Sequence, residues 1–157
     1  MLDEVEGKTP EEINNISLSL DLREKLTHYA NMKAKDDFLT FVKIFAPTIV
    51  SDFKMGRHIE LLCEKLQGVI DGSTKRLMIF LPPRSSKSVV ASKLFPAWYI
   101  GNFANHEIMS VSHSDQLASD FGRTVRDIVN TEKFQKIFRG VSLRLSLIHI
   151  SEPTRPY

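Results

Sequence analysis

The stretch 76–99, RLMIFLPPRSSKSVVASKLFPAWY, constrains the chain more than any other part of it. It opens on a short apolar run: Leu77, Met78, Ile79, Phe80 and Leu81. A basic, hydroxyl-rich turn follows: Pro82, Pro83, Arg84, Ser85, Ser86, Lys87 and Ser88. Val89, Val90, Leu94 and Trp98 then recur at helical spacing. Strand, phosphate loop, helix is the order of a P-loop. In such a turn the backbone N–H groups converge on an anion, and the helix N-terminus adds its partial positive charge. Lys87 is placed to reach the outer phosphates of a nucleotide, and Ser88 to put a hydroxyl on Mg²⁺. The general pattern has glycine six residues before the lysine and directly before it; here those positions hold Leu81 and Ser86. The bland alternative is a strand–turn–helix crossover whose Lys87 is merely solvated.

The chain has 157 residues, of which 42% are hydrophobic and 25% charged, which predicts a soluble globular domain with a core of its own. A net charge of +2 permits a polyanionic partner without arguing for one. The single cysteine, Cys63, excludes an internal disulfide and a cysteine-based metal cluster. No apolar run reaches the roughly 18 residues that span a bilayer, and the acidic N-terminus lacks a signal peptide's basic start. The expectation is a cytoplasmic protein with no membrane partner.

Taken in order, Thr9 and Pro10 open a short helix through a capping box with Glu12. Asp21 opens a second, with Leu22, Leu26, Tyr29 and Ala30 as its apolar stripe. A third runs from Asp36 to about Phe45, with Phe38, Phe41, Val42 and Phe45 on one face and Pro47 as its stop. His58 opens a helix to about Asp71 that turns Ile59, Leu62, Leu66 and Val69 inward. After the loop helix, Pro96 forces a kink or an end near Phe95. Glu107 to Val111 reads as a second strand, so that the two strands and the helix between them form a right-handed, parallel βαβ unit. Ser112, His113, Ser114 and Asp115 follow on the same rim as the phosphate loop, where ligands bind in open α/β sheets. Ser114 or Asp115 caps a helix to Val129, with Leu117, Phe121, Val125 and Ile128 inward and Arg123 and Arg126 on the polar side. Those arginines form either a solvated face or a phosphate-contacting one. His113 has no second metal ligand at usable spacing. Thr131 caps a last helix carrying Phe134, Ile137 and Phe138, which Gly140 ends.

The segment LMIFLPPRSSKS resembles the phosphate loop of the large terminase subunit of tailed bacteriophages, the ATPase that drives DNA into the capsid. Pro82, Pro83, Arg84, Lys87 and Ser88 match that family's loop, while Ser86 stands where it usually has glycine. The resemblance covers about residues 37–143 and takes in the His58 helix, the glycine turn at Gly72 and the serine-rich turn at 112–115. It implies an α/β fold: a partial P-loop NTPase sheet of parallel strands with flanking helices, preceded by an α-helical N-terminal segment. It implies ATP and Mg²⁺, with Pro83, Arg84, Ser85, Ser86, Lys87, Ser88 and Val89 around the nucleotide. Backbone N–H groups of Ser85, Ser86 and Lys87 would cradle the phosphates. Arg84 and Lys87 would be the catalytic cations, Ser88 the metal ligand, and His58 would lie near the adenine unless it is a surface or capping histidine. The implied partners are double-stranded DNA, the portal protein and the small terminase subunit, with a homo-oligomer possible in the full motor. The alternatives are another helicase-like P-loop motor, or a fragment that binds nucleotide or nothing.

Residues 143–150, LRLSLIHI, alternate as a strand does. Yet 145–155, LSLIHISEPTR, resemble the translation of a transposase-type sequencing adapter. The organisation expected is therefore a helical lead-in over 1–57, an incomplete ATPase domain over 58–144 and a non-native tail over 145–157. In terminases the acidic pair that holds Mg²⁺ through water and orients the attacking water lies further along the chain, as does a nuclease domain.

Overall fold

The computed structural model describes residues 20–141. The helix start at Thr9 and Pro10 and the alternating segment 143–150 lie outside them. The described residues form helices α1 (Leu20–Asp36), α2 (Phe38–Ile49), α3 (Arg57–Ile70), α4 (Phe95–Asn102), α5 (Asp115–Val129) and α6 (Glu132–Ile137). A π-helical segment, Val89–Leu94, leads directly into α4.

No strand occurs among the described residues, which overturns the α/β reading and its parallel βαβ unit. The first strand candidate, 77–81, keeps the alternation of a strand: Leu77, Ile79 and Leu81 lean on the core, while Met78 and Phe80 are 79% and 83% exposed. The second, 107–111, leaves Met109 89% and Val111 84% exposed. A strand is defined by the ladder it makes with a neighbour. Among the described residues neither segment makes a backbone–backbone bond to the other or to anything else. Alternation without a partner leaves an extended segment, and what remains is a helical assembly.

The helices follow from local signals. Asp37 caps α2, its carboxylate accepting from the Thr40 N–H at 2.9 Å and from the Thr40 hydroxyl. Ser114 caps α5 and Thr131 caps α6, accepting from the Leu117 and Phe134 N–H groups. Gly140, at φ 91°, adopts left-handed geometry three residues past the end of α6, whose C-cap is Phe138. Pro47 does not stop α2, which continues to Ile49. A proline inside a helix costs about 3 kcal/mol. Pro47 is exposed, and the Phe41, Val42, Ile44, Phe45 and Ala46 burial just before it offsets that loss. On α1 the inward stripe is Leu26, Ala30 and Ala34, spaced by four; Tyr29, about 100° around the helix from Ala30, is 57% exposed. At the end of α3, Ile70 rather than Val69 meets the core.

Pro96 is accommodated by the π-helical segment. The Phe95 N–H bonds to the Val90 carbonyl, five residues back, and regular α geometry resumes with Pro96 in the first turn of α4. Pro96, which has no N–H, directly follows the wide turn, where the regular i→i−4 ladder is already interrupted. The wide turn supplies the extra residue that puts Pro96 in that position.

One apolar cluster joins α2, α3, the helix after the phosphate loop and the last two helices. Its centre is aromatic: Phe41 and Phe45 stack at 4.4 Å, Phe134 and Phe138 lie 4.7 Å apart, and Phe38 meets Trp98 at 5.1 Å. The end of α1 is tied down by three side chains, two from α4 and one from α3. Trp98 Nε1 donates to the Ala34 carbonyl at 2.9 Å, Asn102 Nδ2 to Lys35 at 3.1 Å and Gln67 Nε2 to Asp36 at 3.3 Å. Gln67 also accepts from the Phe38 N–H. These side chains satisfy carbonyls that a helix end leaves without an intrahelical partner.

Candidate functional site

The loop 82–88 ends the extended segment 77–81 and opens the helical rod that runs through the π-helical segment into α4. Among the described residues only two that are not glycine have positive φ, and both are in this loop: Arg84 at 62° and Ser86 at 58°. That region costs an L-residue roughly 1–2 kcal/mol. Ser85, between them, keeps a negative φ. Left-handed residues alternating with right-handed ones turn successive N–H groups toward one side and form an anion-binding concavity. The Ser85 hydroxyl oxygen is buried and, among the described residues, has no hydrogen-bond partner. An orphaned buried hydroxyl costs about 1–3 kcal/mol. Backbone strain and an unmet polar atom therefore coincide at one point, and a bound anion would compensate both.

A cavity of about 530 Å³ lies against this loop. Pro82, Pro83, Arg84, Ser85 and Ser86 form one wall, and Asp52, Lys54 and His58 face them. His58 sits in the first turn of α3, whose N-cap is Gly56. A Cβ on Gly56 would come within 2.9 Å of the imidazole, so this glycine leaves the space that the ring occupies. Lys54 and Arg84 bring positive charge to the cavity, and Asp52 a single negative one.

Of the residues singled out in the sequence, the fold brings Pro83, Arg84, Ser85, Ser86 and His58 together around this cavity. Lys87, Ser88 and Val89 do not line it. They form the first turn of the rod, where the Ser86 carbonyl accepts from the Val90 N–H at 3.1 Å. At a helix start the leading N–H groups lack intrahelical acceptors, so these residues offer donors and the positive dipole end. Asp52 and Lys54 carried no signal in the sequence beyond a polar loop; only the chain's return path places them opposite the phosphate loop.

The serine-rich turn 112–115 does what its residues predict and caps α5. On that helix Arg123 pairs with Asp120 at 3.3 Å, and Arg126 lies 3.9 Å from Asp127. Each arginine thus has a carboxylate beside it, as on a solvated face. Among the described residues no group of three metal-ligating side chains occurs, His113 included.

A larger cavity, about 820 Å³, runs beside α3 past Asp37, Glu60 and Cys63. Burial, together with the Asp37 and Glu60 charges, pushes the Cys63 thiol up to about 12. A thiol held neutral in this way is a packing group rather than a nucleophile.

Among the described residues no helix is long and apolar enough to cross a membrane. No known protein family, characterised protein or solved structure matches this chain.

Proposed function

We propose that loop 82–88 binds the polyphosphate of ATP, and that the chain is the N-terminal part of a DNA-packaging ATPase of the terminase large-subunit kind. The observation that carries this reading is the coincidence of left-handed Arg84 and Ser86 with the orphaned Ser85 hydroxyl at the opening of a helix. The sequence order, Pro82-Pro83-Arg84 before Lys87-Ser88, supports it independently.

In this reading the N–H groups of Ser85, Ser86 and Lys87 cradle phosphate oxygens, and the Ser85 hydroxyl donates into the same nest. Lys87, in the first helical turn, neutralises charge on the outer phosphates. Arg84 approaches the terminal phosphate from the exposed side. His58 borders the cavity where the base would extend, facing Pro83 and Arg84. Ser88 is the residue that would hold Mg²⁺, which supplies charge neutralisation between the outer phosphates. Phosphoryl transfer to water is catalysed chiefly by such positioning and charge stabilisation. The carboxylates that orient the water belong, in this reading, to the remainder of the parent protein. The parent works in the bacterial host's cytoplasm on double-stranded DNA, with portal protein, small terminase subunit and further copies of itself as partners.

A second reading is favoured by 77–81 and 107–111 making no backbone–backbone bond among the described residues. The chain by itself binds nucleotide without turning it over. Thermal unfolding with and without Mg-ATP tests the shared part of both readings. At a ligand concentration about 100 times Kd, a folded binder gains roughly 2.7 kcal/mol. The expected result is a raised Tm that Lys87→Ala abolishes. No shift in the unaltered chain, or an undiminished shift in Lys87→Ala, overturns the site.

A further inference from the structure

A third cavity, about 420 Å³, lies between the first half of α1 and the end of α6. Arg23, His28, Lys136 and Arg139 line it, with Thr27 and Asn31 between them. Glu24 is its one carboxylate. The formal balance is two positive charges net with His28 neutral. α1 and α6 are brought into contact through the core, so the charge concentration is a product of the fold: Arg23 and Arg139 are 116 residues apart by their numbers. Such a cleft is distinct from the phosphate loop in residues and in the elements that build it.

The two basic groups from the end of the chain are unlike the arginines of α5. Arg123 and Arg126 each stand beside an aspartate. Lys136 and Arg139 are exposed and make no ion pair or hydrogen bond among the described residues. Lys136 falls in the last turn of α6, and Arg139 lies two residues past that helix, between Phe138 and Gly140. Both line the cleft. Thr27 and Asn31, four apart on α1, add neutral donors on the opposite wall. Cations with neutral donors beside them suit phosphodiester oxygens, which take hydrogen bonds from Arg, Lys, Thr and Asn side chains alike.

We propose that this cleft is a contact for the sugar–phosphate backbone of double-stranded DNA. The choice of DNA as the polyanion rests on the packaging-motor reading; the phosphodiester chemistry rests on the cleft. Backbone contacts of this kind carry no sequence preference and are strongly salt-dependent, because each neutralised phosphate releases counterions. A motor that advances along any sequence needs contacts of that type.

The test is fluorescence anisotropy of a labelled DNA duplex titrated with the full chain at salt concentrations from about 50 to 200 mM. The expected slope of log K against log salt falls by about 2 in the Lys136→Gln/Arg139→Gln double variant, at about 0.9 per phosphate contact. Affinity falls with it, while Arg123→Gln/Arg126→Gln leaves the slope unchanged. Both cleft substitutions are on exposed side chains, and circular dichroism verifies that the variants keep their helices. An unchanged slope in the cleft variant overturns the proposal, as does a failure of the unaltered chain to bind duplex at low salt. Displacement of the duplex by inorganic phosphate at matched ionic strength also overturns it, in favour of a small-anion site. The Lys87→Ala variant separates the two readings. It is expected to lose the Mg-ATP shift and keep duplex binding; loss of duplex binding there would place the DNA at the loop instead.

Discussion

At the scale of single residues the most informative position is Ser86. Glycine takes a φ near 58° at almost no cost, and serine does not. Its Oγ cannot relieve a backbone strain, so the chain carries roughly 1 kcal/mol at this residue. Ser86→Gly is therefore expected to raise stability by about 1 kcal/mol, read as a higher urea midpoint at unchanged m-value. Mg-ATP affinity is expected to hold or tighten, because the loop's shape is kept. A destabilised Ser86→Gly variant would mean that the serine side chain contributes something the geometry does not reveal. Arg84 has the same backbone geometry, but replacing it also removes a charge from the cavity, so it is the poorer probe.

At the scale of elements, the junction between α1 and α2 is held by side chains that arrive from far along the chain. Trp98 reaches it across 64 residues of sequence and Asn102 across 67. Both come from α4, the continuation of the phosphate loop's own helix. Trp98→Phe keeps a ring in the core but leaves the Ala34 carbonyl without its donor. A buried acceptor left unmet costs about 1–3 kcal/mol, and loss of the larger ring adds to it. The expected result is a drop in unfolding free energy of about 2–4 kcal/mol by chemical denaturation. A change within 0.5 kcal/mol, the usual range of a surface substitution, would show that the bond is not a tie. The neighbouring Gly101 is similarly constrained, since a Cβ there would come within 2.7 Å of the Phe138 ring.

At the scale of the whole molecule, Cys63 reports on the shared core. It is 1% exposed within the cluster that joins α2, α3, α4 and α6. Its thiol is raised from 9.0 to about 12 in the folded chain. Below pH 9 both folded and unfolded thiols are protonated, and the stability is intact. Above pH 9 the unfolded thiol ionises while the folded one does not, so stability falls as pH rises toward 12. Comparison of unfolding free energies for the unaltered chain and Cys63→Ala, from neutral pH to about pH 11, isolates this from tyrosine and lysine titration. The unaltered chain is expected to show the steeper decline; parallel curves would mean that Cys63 is not held in the core.

Much of the helical framework is legible in the sequence because its causes are local. Ser114 and Thr131 cap helices through their own backbone neighbours, and the stripe of α2 and all but the last residue of that of α3 follow from spacing. The turn 82–88 is legible too, as a basic and hydroxyl-rich loop between an apolar run and a helix. What only the tertiary structure decided is non-local. A strand requires a partner, and the alternation at 77–81 carries no information about whether one is within reach. Pro96 permits a kink or an end; the surrounding packing selected a π-helical turn instead. Asp52 and Lys54 face the loop, and Lys136 faces α1, because helices buried against a common aromatic core bring distant segments together. Local chemistry thus determined where α5 and α6 begin and which loop is basic and hydroxyl-rich. The core determined what stands opposite that loop, and which apolar segments remain unpaired.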